Sequence, residues 1–171
     1  MKIQVGGLSE GLHEYHFSST SSELALAENF SHDVVVDVAL EKAGTQLYLS
    51  ASIHAMGKFT CDRCLIEFEA PLPSSYTMYY FEEGADQANF DPAEVQIIHP
   101  GTSVIDLTED VRQTILLSVP LKLLCSETCE GLCPHCGANL NTESCTCAET
   151  SVDPRWEKLQ SLQNNNMEDL T

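Results

Sequence analysis

The chain is short of positive charge. Its 171 residues carry 8 Lys and Arg against 26 Asp and Glu, a formal net charge of −18. Nucleic-acid binding normally neutralises phosphates with Lys and Arg, so direct RNA contact by the surface at large is disfavoured and a basic protein partner is favoured. Long apolar runs are also missing. No stretch approaches the roughly 18–20 apolar residues of a membrane span. The opening Met1-Lys2-Ile3-Gln4-Val5-Gly6-Gly7 lacks the apolar run, roughly 7–15 residues long, of a secretion signal. A cytoplasmic protein with no membrane partner is the expectation. No Ser/His/Asp set, phosphate loop or paired-carboxylate arrangement stands out, so no catalytic residue is assigned and no enzyme is expected.

What is present is core material and sulfur. Apolar residues, with Cys and Tyr, make up 43% of the chain, enough for one domain with a real core. The cleanest pattern has period two. Leu47, Leu49, Ala51, Ile53, Ala55, Gly57, Phe59 and Cys61 alternate with mostly polar residues, which predicts a long strand with one buried face. A β-branched run from Val34 to Leu40 precedes it, with a turn at Ala43-Gly44. After Cys64 the parity switches: Ile66, Phe68, Ala70 and Leu72 predict a returning strand that Pro71 and Pro73 end or place at an edge. Further strands are expected at 14–17, 76–81 and 95–98, a short helix at 21–29, and an exposed acidic loop at 82–92. Asp106-Leu107-Thr108-Glu109 reads as a capping box with Asp106 as N-cap, opening a helix to Ser118 that Pro120 stops. Its inner face would carry Leu107, Val111, Thr114 or Ile115, and Ser118. Asp153-Pro154-Arg155-Trp156 reads as a last helix start.

The fold class expected is α+β: an antiparallel sheet or partly open barrel with a packed helix and a C-terminal Cys-rich zinc module. The divisions would be 1–120 for the β-rich core, 121–150 for the Cys-rich module and 151–171 for a helix and frayed tail.

Eight cysteines in a reducing compartment are more often metal ligands than disulfides. They fall into pairs: Cys61 and Cys64, Cys125 and Cys129, Cys133 and Cys136, Cys145 and Cys147. Zinc takes four thiolates in closed structural sites, and eight cysteines make two such sites, so two zinc ions are expected. Pro134 and Gly137 favour the tight turn that brings Cys133 and Cys136 together. One grouping joins Cys133, Cys136, Cys145 and Cys147 over short loops. That leaves Cys61 and Cys64 with Cys125 and Cys129, clamping a hairpin tip to the segment after the helix. The other grouping joins Cys125, Cys129, Cys133 and Cys136, and pairs Cys61 and Cys64 with Cys145 and Cys147. Iron–sulfur clusters also take four Cys. Thioredoxin-like chemistry needs a pair at a helix start, whereas these pairs sit on a hairpin tip and in a loop. His135 lies inside its turn and is expected to be exposed, and His54 and His99 read as strand or surface residues.

The order of these motifs is informative. Cys61-Asp62-Arg63-Cys64-Leu65 follows a long strand, and a helix ends at Val119-Pro120-Leu121. Then come Leu124-Cys125, Cys129-Glu130-Gly131-Leu132-Cys133-Pro134-His135-Cys136-Gly137, Cys145-Thr146-Cys147 and Asp153-Pro154-Arg155-Trp156. Over residues 30–162 this order resembles the YceD family, the large ribosomal RNA subunit accumulation proteins. The resemblance implies a bacterial or organellar cytosolic protein, not an enzyme, with a role in accumulation or processing of large-subunit ribosomal RNA. Family members that keep the first Cys-x-x-Cys and lack the later cluster favour the first grouping. The partner expected is a basic ribosomal protein or a ribosome assembly intermediate. A direct RNA binder is the second reading, and the basic residues available to it are few: Arg63, Lys122 and Arg155.

Overall fold

The computed structural model describes residues 1–84, 89–147 and 155. The expected helix at 153–156 and the tail after it lie outside the described residues, Arg155 excepted. The chain divides into two compact units, Met1–Cys129 and Glu130–Thr171. Cys125 and Cys129 thus fall in the first unit, and the four later cysteines in the second.

The first unit holds β1 (Lys2–Gln4), β2 (Gly11–Ser19), β3 (Val34–Ala43), β4 (Gln46–Thr60), β5 (Glu67–Glu82), β6 (Val95–Ile98), β7 (Val104–Asp106) and α1 (Thr108–Ser118). Five strands form an open sheet in the order β2-β3-β4-β5-β6, antiparallel except for the parallel β5–β6 pair. β1 and β7, short strands that no periodicity betrays, make a separate antiparallel pair. The period-two face of β4 is buried as its alternation requires, with Leu49, Ala51 and Ile53 fully covered. Val36, Val38 and Leu40 of β3 lie beside them, and Leu107, Val111 and Ile115 belong to the same core. No helix among the described residues is long and apolar enough to cross a membrane.

Several elements differ from the sequence expectation. The two strands expected on either side of Pro71 and Pro73 are one strand, paired with β4 along its whole length, with Pro71 opposite Met56 and Pro73 opposite His54. The prolines interrupt nothing because, two residues apart, they aim their nitrogens to the same side. β6 joins that side only from Tyr79 onward. The helix expected at 21–29 is a single capped turn. Thr20 Oγ1 accepts from the Glu23 N–H (3.3 Å) and Glu23 Oε2 from the Thr20 N–H (3.0 Å). Ala25 then turns left-handed at φ 49°, and the Leu26 N–H closes on Ser21 O (2.9 Å), as in a helix C-terminal motif. The left-handed Ala25 ends the helical run after this one turn, and the chain beyond it carries Phe30 into the core beside the buried Leu24.

Asp106 is not the N-cap. That position is Leu107, whose N–H donates to Met1 O (2.8 Å) and which is fully buried. Asp106 stays in the strand, and its carboxylate accepts from the Thr108 N–H (3.0 Å) and hydroxyl (2.6 Å). Glu109 bonds forward to Gln113 (2.9 Å) and Arg112 (3.1 Å) instead of reaching back. The acidic loop at 82–92 is not wholly exposed either: Phe90 folds onto Tyr79 and Phe81, with ring centroids 4.8 and 5.0 Å away.

Gly57 owes its place in β4 to Phe59. A β-carbon there would stand 2.4 Å from the Phe59 ring, which folds back over the glycine and meets Phe30 edge-on. Gly57→Ala is expected to cost about 1–3 kcal/mol by overpacking, read as a lower urea midpoint with an unchanged slope. An unchanged midpoint would show that the Phe59 ring swings aside freely.

Candidate metal centres

The turn joining β4 to β5 carries the first cysteine pair. The Cys61 N–H donates to Ile66 O (2.9 Å) and the Leu65 N–H to Cys61 O (2.9 Å), with Leu65 left-handed at φ 59°. Cys61 and Cys64 continue the buried parity of their strands, at 0% and 3% exposure. The segment after α1 is drawn to this tip by three bonds. The Asp62 N–H donates to Leu123 O (2.8 Å), the Leu123 N–H donates to Asp62 Oδ2 (2.7 Å), and Arg63 Nη1 donates to Cys129 O (2.7 Å). Sequence reasoning missed Asp62 and Arg63 as bracing residues. Lying between two cysteines, they read only as turn residues, and nothing local names their partners. Arg63, counted as a basic group for nucleic acid, gives one of its five N–H donors to this brace.

The result is one cluster. Cys61 Sγ lies 3.8 Å from Cys129 Sγ, and Cys64 Sγ lies 3.6 Å from Cys125 Sγ. All four sulfurs are within 4.8 Å of one another. Burial pushes the Cys61 thiol up, but hydrogen bonds from the backbone at Cys125, Cys64 and Arg63 outweigh it and bring it down to about 6. Burial pushes Cys125 up to about 12, helped by protons shared with Cys64, Cys129 and Cys61.

The second unit builds its cluster locally. The Gly137 N–H donates to Cys133 O (2.9 Å) and the Cys133 N–H to Ala138 O (2.8 Å). A bridge between Leu132 and Asn139 flanks this knuckle, and Asn141 Oδ1 accepts from the Glu130 N–H (2.8 Å). Cys145 Sγ stands 3.2 Å from Cys133 Sγ and 3.5 Å from Cys136 Sγ. The sulfurs of Cys133, Cys136, Cys145 and Cys147 also lie within 4.8 Å of one another. Hydrogen bonds from the backbone at Cys136 and His135 lower the Cys133 thiol to about 6. Protons shared with Cys145 and Cys136, with burial, raise Cys147 to about 12. Cys136 and Cys147 are exposed, and His135 is exposed in its turn.

The structure therefore brings the cysteines together in the first of the two groupings. The sulfur spacings are far from the ~2.05 Å of a disulfide. They lie near the ~3.8 Å tetrahedral edge that a zinc–sulfur bond of about 2.3 Å produces, and in each cluster amide donors hold one thiol close to thiolate. The donor sets fit zinc, which would be held by Cys61, Cys64, Cys125 and Cys129 in one site and by Cys133, Cys136, Cys145 and Cys147 in the other. Four thiolates leave zinc no open position for a reacting water, so its contribution there would be to folding. Elemental analysis of protein purified under reducing conditions is expected to give two zinc ions per chain. One zinc, or iron absorption in the visible, would overturn this.

Comparison with known proteins adds a family. The description "Large ribosomal RNA subunit accumulation protein YceD" matches residues 49–163, a span that contains all eight cysteines. An uncharacterized protein of Mycobacterium tuberculosis is 27% identical over 128 residues, covering 74% of this chain and 60% of that protein. The chloroplastic large ribosomal RNA subunit accumulation protein YCED homolog 1 of Zea mays is 47% identical over 49 residues, 28% of this chain and 17% of that protein. Uncharacterized protein YlbN of Bacillus subtilis is 30% identical over 103 residues, 60% of this chain and 58% of that protein. The chain spans about 60% of the length of the mycobacterial relatives that it matches. No solved structure matches significantly.

Proposed function

We propose, from the premise that this chain belongs to the YceD family, that it is a non-enzymatic, zinc-stabilised factor supporting the accumulation of large-subunit ribosomal RNA. It acts in the cytoplasm through a basic protein partner, a ribosomal protein or an assembly intermediate that contains one. The observation that carries this reading is the pair of closed four-cysteine sets inside the family's matched span. Four thiolates around a zinc ion leave it no open position for a reacting water, which favours a role in ordering the chain. The net charge of −18 supports a protein partner over RNA, because this surface attracts cationic segments and repels phosphates.

The test is binding measured against basic large-subunit proteins stripped of ribosomal RNA, and against naked ribosomal RNA. Affinity for the basic proteins should weaken about tenfold between roughly 50 and 200 mM salt, as electrostatic steering is screened. Binding to naked RNA should be weak at both. Tight, salt-dependent binding to RNA with no protein present would overturn the reading.

A further inference from the structure

The two edges of the five-stranded sheet are unlike. On one side, β5 is guarded by Pro71 and Pro73, and β6 covers Tyr79–Glu82 only. On the other, β2 runs for nine residues paired to β3, and among the described residues no strand lies on its outer side. β2 has no Pro, Lys or Arg to keep another strand away, and its one charged residue is Glu14. Its core-facing Tyr15 and Phe17 are only half-buried, stacked on each other at 6.3 Å, so the core is left incompletely covered along this edge. Its solvent face is acidic. Glu14 stands on β2, with Asp37 and Glu41 on β3, and His16 Nδ1 of β2 already lies 2.7 Å from Asp37 Oδ1. No Lys or Arg shares that face of the two strands, since Lys42 has the core parity and donates to Leu8 O (2.6 Å). A groove of about 510 Å³ runs inward from Glu14 and His16 over Asp37, Ala39, Ser50 and Ser52, with small side chains at its floor.

We propose that the free edge of β2 takes an extended segment of a protein partner as an added strand, with residues alternating basic and apolar. Main-chain bonds supply the attachment and alternate side chains the selectivity. One parity covers Tyr15 and Phe17. The other presents Lys or Arg to Glu14 across the strand pair. A second copy of this chain would bring another 18 negative charges to an acidic face. This inference rests on the protein-partner reading above and names where that partner docks.

The probe is a synthetic peptide alternating lysine with valine over the length of β2, compared with one of equal composition whose lysines are grouped at one end. Amide hydrogen exchange on the full chain should show new protection at alternate β2 amides, those not already bonded to β3, with the alternating peptide and much less with the grouped one. Glu14→Lys, at an exposed position, should weaken binding about fivefold, the upper end of what one cross-strand charge pair contributes, without altering exchange in the free protein. Peptide binding with protection elsewhere, or an unchanged affinity in Glu14→Lys, would overturn this site and leave the partner reading intact. Failure to bind either the peptide or the basic ribosomal proteins would overturn both. Protection of β2 by self-association without peptide, or by an RNA oligonucleotide, would also overturn it.

Discussion

Cys61→Ser is expected to loosen the whole first unit, whereas Cys145→Ser should disturb only the second. Cys61 lies at the end of β4, the central strand of the sheet, and its cluster closes chain loops of 61 and 68 residues, from Cys64 to Cys125 and from Cys61 to Cys129. Structural zinc contributes its binding free energy to folding. Losing one of four thiolates should cost on the order of 4 kcal/mol, a large part of a domain's usual ~5–15 kcal/mol. In the second unit the loops between facing cysteines span 9 and 12 residues, and no large apolar side chain is fully buried among its described residues. Damage there has no core to propagate through. Amide exchange should show faster opening across β3, β4 and β5 in Cys61→Ser, and in Cys145→Ser only beyond residue 130. Equal, local loosening in both variants would overturn this assignment.

With zinc in both clusters as proposed, a chelator should remove the two ions in two phases, the second unit's first. Its ligands Cys136 and Cys147 are exposed, so a competing ligand or a proton reaches the thiolates directly. In the first cluster Cys61, Cys64 and Cys129 are 0%, 3% and 2% exposed. The Asp62–Leu123 and Arg63–Cys129 bonds hold the two halves together independently of metal, so release must await opening of the hairpin tip. Acid should act in the same order, since thiolate ligands must be deprotonated and falling pH returns their protons. Zinc release followed with a metal-sensitive dye, alongside β-sheet circular dichroism, checks both points. The first zinc should leave at least about tenfold faster, with the sheet signal intact. A single phase, or loss of the sheet with the first zinc, would overturn the expectation.

The sequence by itself determined the elements whose signal is local. The alternation from Leu47 to Cys61 made β4 legible, because burial of one face imposes period two on the residues themselves. The Cys-x-x-Cys spacings made the ligand pairs legible, because a tight turn is enough to bring two sulfurs together. Short loop length favoured the grouping of Cys133 and Cys136 with Cys145 and Cys147, the arrangement found. Tertiary structure decided what depends on a distant partner. Pro71 and Pro73 pass through the middle of β5 because the side they face is unoccupied there, a property of strand order that the residues cannot report. The capped turn at 20–26 stays one turn long because the chain turns left-handed at Ala25 and goes on to bury Phe30 in the same core as Leu24. β1 and β7, three residues each, exist because each supplies the other's hydrogen bonds. Asp62 and Arg63 brace the first cluster only because the chain returns at Leu123 and Cys129, 61 and 66 residues later, a contact whose reward is collected after the loop is closed.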